Sequence, residues 1–130
     1  AVVTMAVAVE GPLDGNFDTI WARHIFVKND GKGVLLLGAN DGGDGFLLMR
    51  SATGGDIVEL SSGPGGGNVT TYQPNGKELV RLGATENGGA IQIYNKKGDP
   101  IIALQPDEYG NGVVGAYNRY GKGRTLQPGP

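Results

Sequence analysis

Asn40-Asp41-Gly42-Gly43-Asp44-Gly45 gathers two carboxylates and an amide into six residues of glycine-rich chain. Calcium takes six to eight oxygens, and loops of Asp, Asn and free backbone carbonyls supply them, so Asn40, Asp41 and Asp44 are the candidate metal ligands. Their spacing matches neither the EF-hand loop nor the nonapeptide calcium repeat, and a solvated turn accounts for the same residues. Asp107-Glu108 is a sparser version of the same feature. Tyr72, Tyr94 and Tyr117 recur 22 and 23 residues apart, which would set them in a series on one face of a sheet. Aromatic series stack on sugar rings, and they also pair across strands. These three are the candidate glycan contacts, with polysaccharide as the implied partner. Asn68-Val69-Thr70 is an N-glycosylation sequon, so Asn68 is a candidate modification site if the chain is exported and glycosylated.

Catalytic constellations are harder to build. His24 is the only histidine, and no Ser-His-Asp or Glu-x-x-His spacing surrounds it. Gly63-Pro64-Gly65-Gly66-Gly67 lacks the lysine and hydroxyl of a phosphate loop, and no helix follows it, so it reads as a long turn. The expectation is a protein that is not an enzyme and holds no cofactor, calcium excepted. A hydrolase would need Asp41, Asp44 or Glu108 gathered around a metal.

The elements that carry these residues come from a repeat. Gly67 to Tyr72, Asn75-Gly76-Lys77 and Leu79 to Gly83 are echoed 22 residues later by Gly89 to Tyr94, Lys97-Gly98-Asp99 and Ile101 to Leu104. A period of this length marks an array built from one supersecondary unit. The same template fits Ile25 to Gly38, Phe46 to Leu60 and Val113 to Leu126. Each unit has a mid-unit turn such as Asp30-Gly31 or Asn75-Gly76, which favours hairpins. The predicted fold is therefore all-β, about five hairpin-like repeats of 22–23 residues forming a meander, a sandwich or a prism. A β-solenoid with two strands per rung is the alternative.

Composition agrees with an array punctuated by turns. The chain has 25 glycines in 130 residues, set between apolar runs and without a collagen triplet. Eleven basic and 13 acidic residues are interspersed, so no basic stripe offers itself to nucleic acid or an anionic membrane. No segment is long and apolar enough for a membrane span, and with no cysteine there are no disulfides or thiolate sites. Numbering that begins on alanine suits a processed, exported chain as well as a trimmed one.

Residues 1–12 read as an N-terminal β arm ahead of a repeat domain at 13–130. Val3, Met5, Val7 and Val9 alternate with small or polar residues, and Gly11-Pro12 ends the run. Such an arm adds a strand either to its own sheet or to a neighbour's. Val34 to Leu37, Phe46 to Met49 and Ile101 to Leu104 are apolar at consecutive positions, as strands covered on both faces would be. By contrast, Thr70, Arg81 and Gln92 show a surface alternation.

The run Ala22-Arg23-His24-Ile25-Phe26-Val27-Lys28-Asn29-Asp30-Gly31-Lys32 with Leu35-Leu36-Leu37-Gly38 resembles the short tandem β-repeats of uncharacterised bacterial proteins. Tyr94 to Gly98 and Tyr117 to Lys122 fit the same template. The resemblance spans about residues 22–126, departs from the pattern at Ser61 to Gly66, and implies architecture with no catalytic residues to carry over. More loosely, glycine-punctuated β-repeats resemble those of fibre shafts and surface filaments. The functional expectation is a structural subunit, extracellular or at the cell surface, whose partners are copies of itself. A carbohydrate-binding β module is the alternative.

Overall fold

Turn chemistry sets the architecture. The computed structural model describes residues 21–63 and 65–128. These form ten strands: β1 (His24–Asn29), β2 (Lys32–Ala39), β3 (Gly45–Arg50), β4 (Asp56–Gly63), β5 (Gly66–Tyr72), β6 (Glu78–Thr85), β7 (Gly88–Tyr94), β8 (Pro100–Pro106), β9 (Gly112–Tyr117) and β10 (Gly123–Leu126). They lie in sequence order in one antiparallel sheet, so the predicted all-β hairpin array is an open meander. Strands touch only their neighbours in sequence, and among the described residues no second layer folds back to make a sandwich, prism or solenoid. The N-terminal arm, with Val3, Met5, Val7 and Val9, lies outside the described residues.

Six connections share one construction. In Asn40–Asp44, Ser51–Gly55, Gln73–Lys77, Asn95–Asp99, Asp107–Asn111 and Asn118–Lys122, the first N–H donates to the fifth C=O, and the fourth N–H donates back to the first C=O. This is a type I turn followed by a left-handed residue, and the fourth position is glycine each time, with φ between 75° and 93°. A side chain reinforces most of them. The Asn95 Oδ1 accepts from the N–H groups of Lys97 and Asp99, and the Asn118 Oδ1 from those of Tyr120 and Lys122. Asp30-Gly31 instead makes a two-residue turn with both φ values positive. At Ser61 to Gly66 the pairing continues, Ser61 opposite Asn68 and Gly63 opposite Gly66, so the irregular stretch still closes a hairpin.

Asp107 occupies the turn-anchoring position that Asn holds at 40, 95 and 118. The N–H of Asn111 foremost, with those of Tyr109 and Gly110, holds its carboxyl below the ordinary 3.8. A depressed carboxylate contributes stability that is present above the unfolded pKa and is lost as pH falls through the folded one. Asp107→Asn keeps the Oδ1 acceptor without the charge. At fixed protein concentration, the urea-midpoint difference between wild type and Asp107→Asn is expected to change on acidification below about pH 3.8, with wild type losing more.

The register sorts side chains onto two unlike faces. Partners that stand directly opposite share a face. One row therefore runs Ile25, Leu37, Leu47, Leu60, Val69, Leu82, Ile91, Leu104, Val114, Leu126, one residue from each strand and every one apolar. Beside it on the same face runs Val27, Leu35, Met49, Val58, Thr71, Val80, Ile93, Ile102, Ala116, Arg124. Arg124, on the last strand, is the one charge in the two rows. The opposite, mixed face carries Phe26, Leu36, Leu48, Glu59, Thr70, Arg81, Gln92, Ala103, Gly115 and Thr125 in its central row.

Continuous apolar runs need a different reading in this light. Val34, Ile57, Leu79 and Ile101 are extra residues where the register slips by one, each a bulge on an even-numbered strand. Ile101 to Leu104 is thus a bulge followed by Ile102 and Leu104 on the apolar face, with only Ala103 on the other. Both faces are heavily apolar only in β1 to β3, where Phe26, Leu36 and Leu48 line up on the mixed face.

Candidate functional site

No apolar side chain among the described residues is buried. A sheet with an apolar face must place it against another layer to be stable in water. Seven residues of the leading apolar row remain exposed, from 37% at Val69 and Leu104 to 73% at Leu126, with Leu82 at 44%. Ten strands at the usual spacing and about five residues of apolar length give a patch of roughly 43 by 17 Å, or about 700 Å². That approaches the area one partner contributes to a standard protein interface, about 800 Å². It also exceeds the few hundred Å² of contiguous apolar surface that a soluble monomer ordinarily shows. Depressions on this face, one of about 680 Å³ bordered by Leu82, Ile91, Leu104 and Val114, are lined chiefly by apolar atoms.

The mixed face holds a polar basin of about 550 Å³ at its centre, over β4 to β7. Glu59, Thr70, Arg81 and Gln92 cross it as consecutive partners, so the surface alternation read from Thr70, Arg81 and Gln92 places all three in one row. Thr70 lies at its floor, 7% exposed. The Tyr72 hydroxyl donates to Glu59 Oε2 at 2.9 Å, and the Tyr94 hydroxyl donates to Gln92 Oε1 at 2.7 Å. Arg81 pairs with Glu78 along its own strand. Burial pushes the Tyr72 phenol above its ordinary pKa, with the bond to Glu59 adding to it, and burial likewise pushes up Tyr94. Both phenols are therefore neutral donors at physiological pH.

The three tyrosines do share a face, on the alternate strands β5, β7 and β9. One strand intervenes each time, a separation of about 9.6 Å, so they do not stack as cross-strand pairs. Tyr72 lines the basin, and Tyr94 reaches it only through its hydrogen bond to Gln92. Tyr117 instead lies over Gly115, where a Cβ would run into its ring and hydroxyl; only glycine leaves room for that ring. Asn68 sits in mid-strand on β5, half-buried, with its amide laid over Gly83. Sequons are modified in surface loops, which is a different setting.

Asn40, Asp41 and Asp44 fall in the β2–β3 turn, where Asn40 Oδ1 accepts the Asp44 N–H at 2.9 Å. Among the described residues no three His, Cys, Asp or Glu side chains are gathered as a metal ion would need. His24 Nε2 lies 3.0 Å from the Ala39 carbonyl, and its ring leans toward Phe26 and Phe46. Glu59 is the basin residue that sequence reasoning passed over. Its signal was the spacing of Glu59, Thr70, Arg81 and Gln92, eleven residues apart, which equals one strand and one turn.

No protein-family model matches the chain, and no curated protein shows significant similarity to it. Among the described residues no helix is long and apolar enough to cross a membrane.

Proposed function

We propose that this protein is a structural subunit that assembles with copies of itself, as a fibre, filament or homo-oligomer. One observation carries the reading: the unbroken apolar row from Ile25 to Leu126 on a sheet in which, among the described residues, no apolar side chain is buried. A second copy suits this face for three reasons. Its two rows are uncharged up to Arg124, so they meet their like without repulsion. Its footprint matches what a stable pair contributes. Its rows repeat at the strand spacing, about 4.8 Å, so apolar side chains of one copy meet a matching series on another. Lipid suits it less, because strands of four to eight residues are shorter than the 9–11 that cross a bilayer. This contact is drawn from the described residues alone. Light scattering of the full chain, of a chain lacking residues 1–10 and of Leu82→Lys tests the reading; association in the first two and its loss in the third is the expected pattern.

Carbohydrate binding is a second reading, favoured by the polar basin lying on the face opposite the apolar one. Tyr72 lines it, and Gln92, Glu59 and Arg81 beside it supply donors and acceptors on one surface. A glycan array should then show binding that Arg81→Ala reduces at least tenfold, and an array at background would remove this reading.

A further inference from the structure

We infer that copies also join edge to edge, β10 of one chain pairing antiparallel with β1 of the next to give a sheet that continues through both. This deepens the self-assembly reading and rests on it for the partner's identity, but the contact surface is different. β1 and β10 each have one neighbour among the described residues, so each presents an unpaired row of backbone groups. Three features make the two edges complementary.

The first is direction. An even number of alternating strands leaves β10 antiparallel to β1, so placing the next copy alongside extends the meander without a parallel junction.

The second is hydrogen-bond phase. Asn29 and Lys32 flank a two-residue turn, so the backbone groups of Asn29, Val27 and Ile25 face β2, and those of Lys28 and Phe26 face outward. The Asn118 N–H donates to the Lys122 C=O, so Lys122, Arg124 and Leu126 face β9, and Gly123 and Thr125 face outward. Setting Thr125 opposite Phe26 and Gly123 opposite Lys28 aligns outward groups with outward groups.

The third is the side-chain rows. That same register sets Leu126 beside Ile25, so the leading apolar row runs on from one copy to the next without a step. Lys28 and Arg124 fall on opposite faces, so the two edge cations do not meet. A head-to-tail contact of this kind is heterologous, and it grows into a ring or an open filament according to the twist per copy.

The chain has no cysteine, so a disulfide can be placed at will. In the inferred register Ile25 and Leu126 are a non-hydrogen-bonded pair, with Cα atoms about 4.5 Å apart, within the range a disulfide spans. The test is the full 130-residue chain carrying Ile25→Cys and Leu126→Cys, oxidised and run on a denaturing gel without reductant. The expected result is a ladder of dimers, trimers and higher multiples that collapses with reductant. The out-of-register pair Ile25→Cys with Arg124→Cys should give at least tenfold less. Monomer alone overturns the inference, whether the thiols stay free because other residues cover β1 or are consumed within one chain by closure of its own sheet. An equal ladder from the out-of-register pair overturns it as well. Light scattering on the cysteine-free chain separates this from the face contact. Association without a ladder refutes edge pairing alone, and a ladder from chains whose association Leu82→Lys leaves unchanged refutes face packing alone.

Discussion

Leu82→Lys is expected to weaken self-association by about a thousandfold or more. Leu82 is the sixth member of the apolar row and sits in the middle of the sheet, opposite Val69 and Ile91. In a face-to-face pair each copy would bury this side chain, worth about 2 kcal/mol, so two copies lose about 4 kcal/mol, or roughly three powers of ten in affinity. An ammonium with no partner in a dry interface adds to that cost. Gln92→Lys is the matched control, one strand away and on the mixed face, and should leave association within about a factor of three, the scale of an ordinary surface substitution. Light scattering over a concentration series reads both. Equal particle mass for wild type and Leu82→Lys would exclude this face as the contact.

Thermal stability is expected to depend on protein concentration. A single-layer sheet with no buried apolar side chain among the described residues has little to hold it against the conformational entropy of the unfolded chain, so folding and association should be coupled. For a dimer that unfolds to separate chains, mass action over a hundredfold dilution weakens the folded pair by about 2.7 kcal/mol, and the melting temperature should fall by about 5 °C. Circular dichroism melts at the two ends of that range check this. A melting temperature that does not move would show that each chain buries its apolar face alone.

The hairpins were legible because their chemistry is local. Asp30-Gly31, Asn75-Gly76 and Lys97-Gly98 mark turns from composition alone, and the structure closes a hairpin at each. The alternation in the even-numbered strands was masked by the bulges. An extra Val34 or Ile101 shifts the period of two by one, so an apolar-in, mixed-out strand reads as apolar throughout. The choice of meander over sandwich or prism was also hidden, because all three use the same hairpins and differ only in whether distant strands meet. The basin has a simpler explanation. Glu59, Thr70, Arg81 and Gln92 become neighbours only once each strand-plus-turn is known to measure eleven residues, and in the antiparallel mirror only the middle row keeps that spacing. The tyrosines looked equivalent at 22 and 23 residues apart, yet Gly115 gives Tyr117 a packing role that Tyr72 and Tyr94 do not share.

Because every strand touches only the strands before and after it, the gene can lengthen or shorten by one 22-residue unit and alter nothing but the width of the sheet. Such a duplication adds strands in twos, so the first and last would keep opposite directions. Tandem copying therefore offers evolution a way to set the width of the sheet while leaving the relation between its two edges intact.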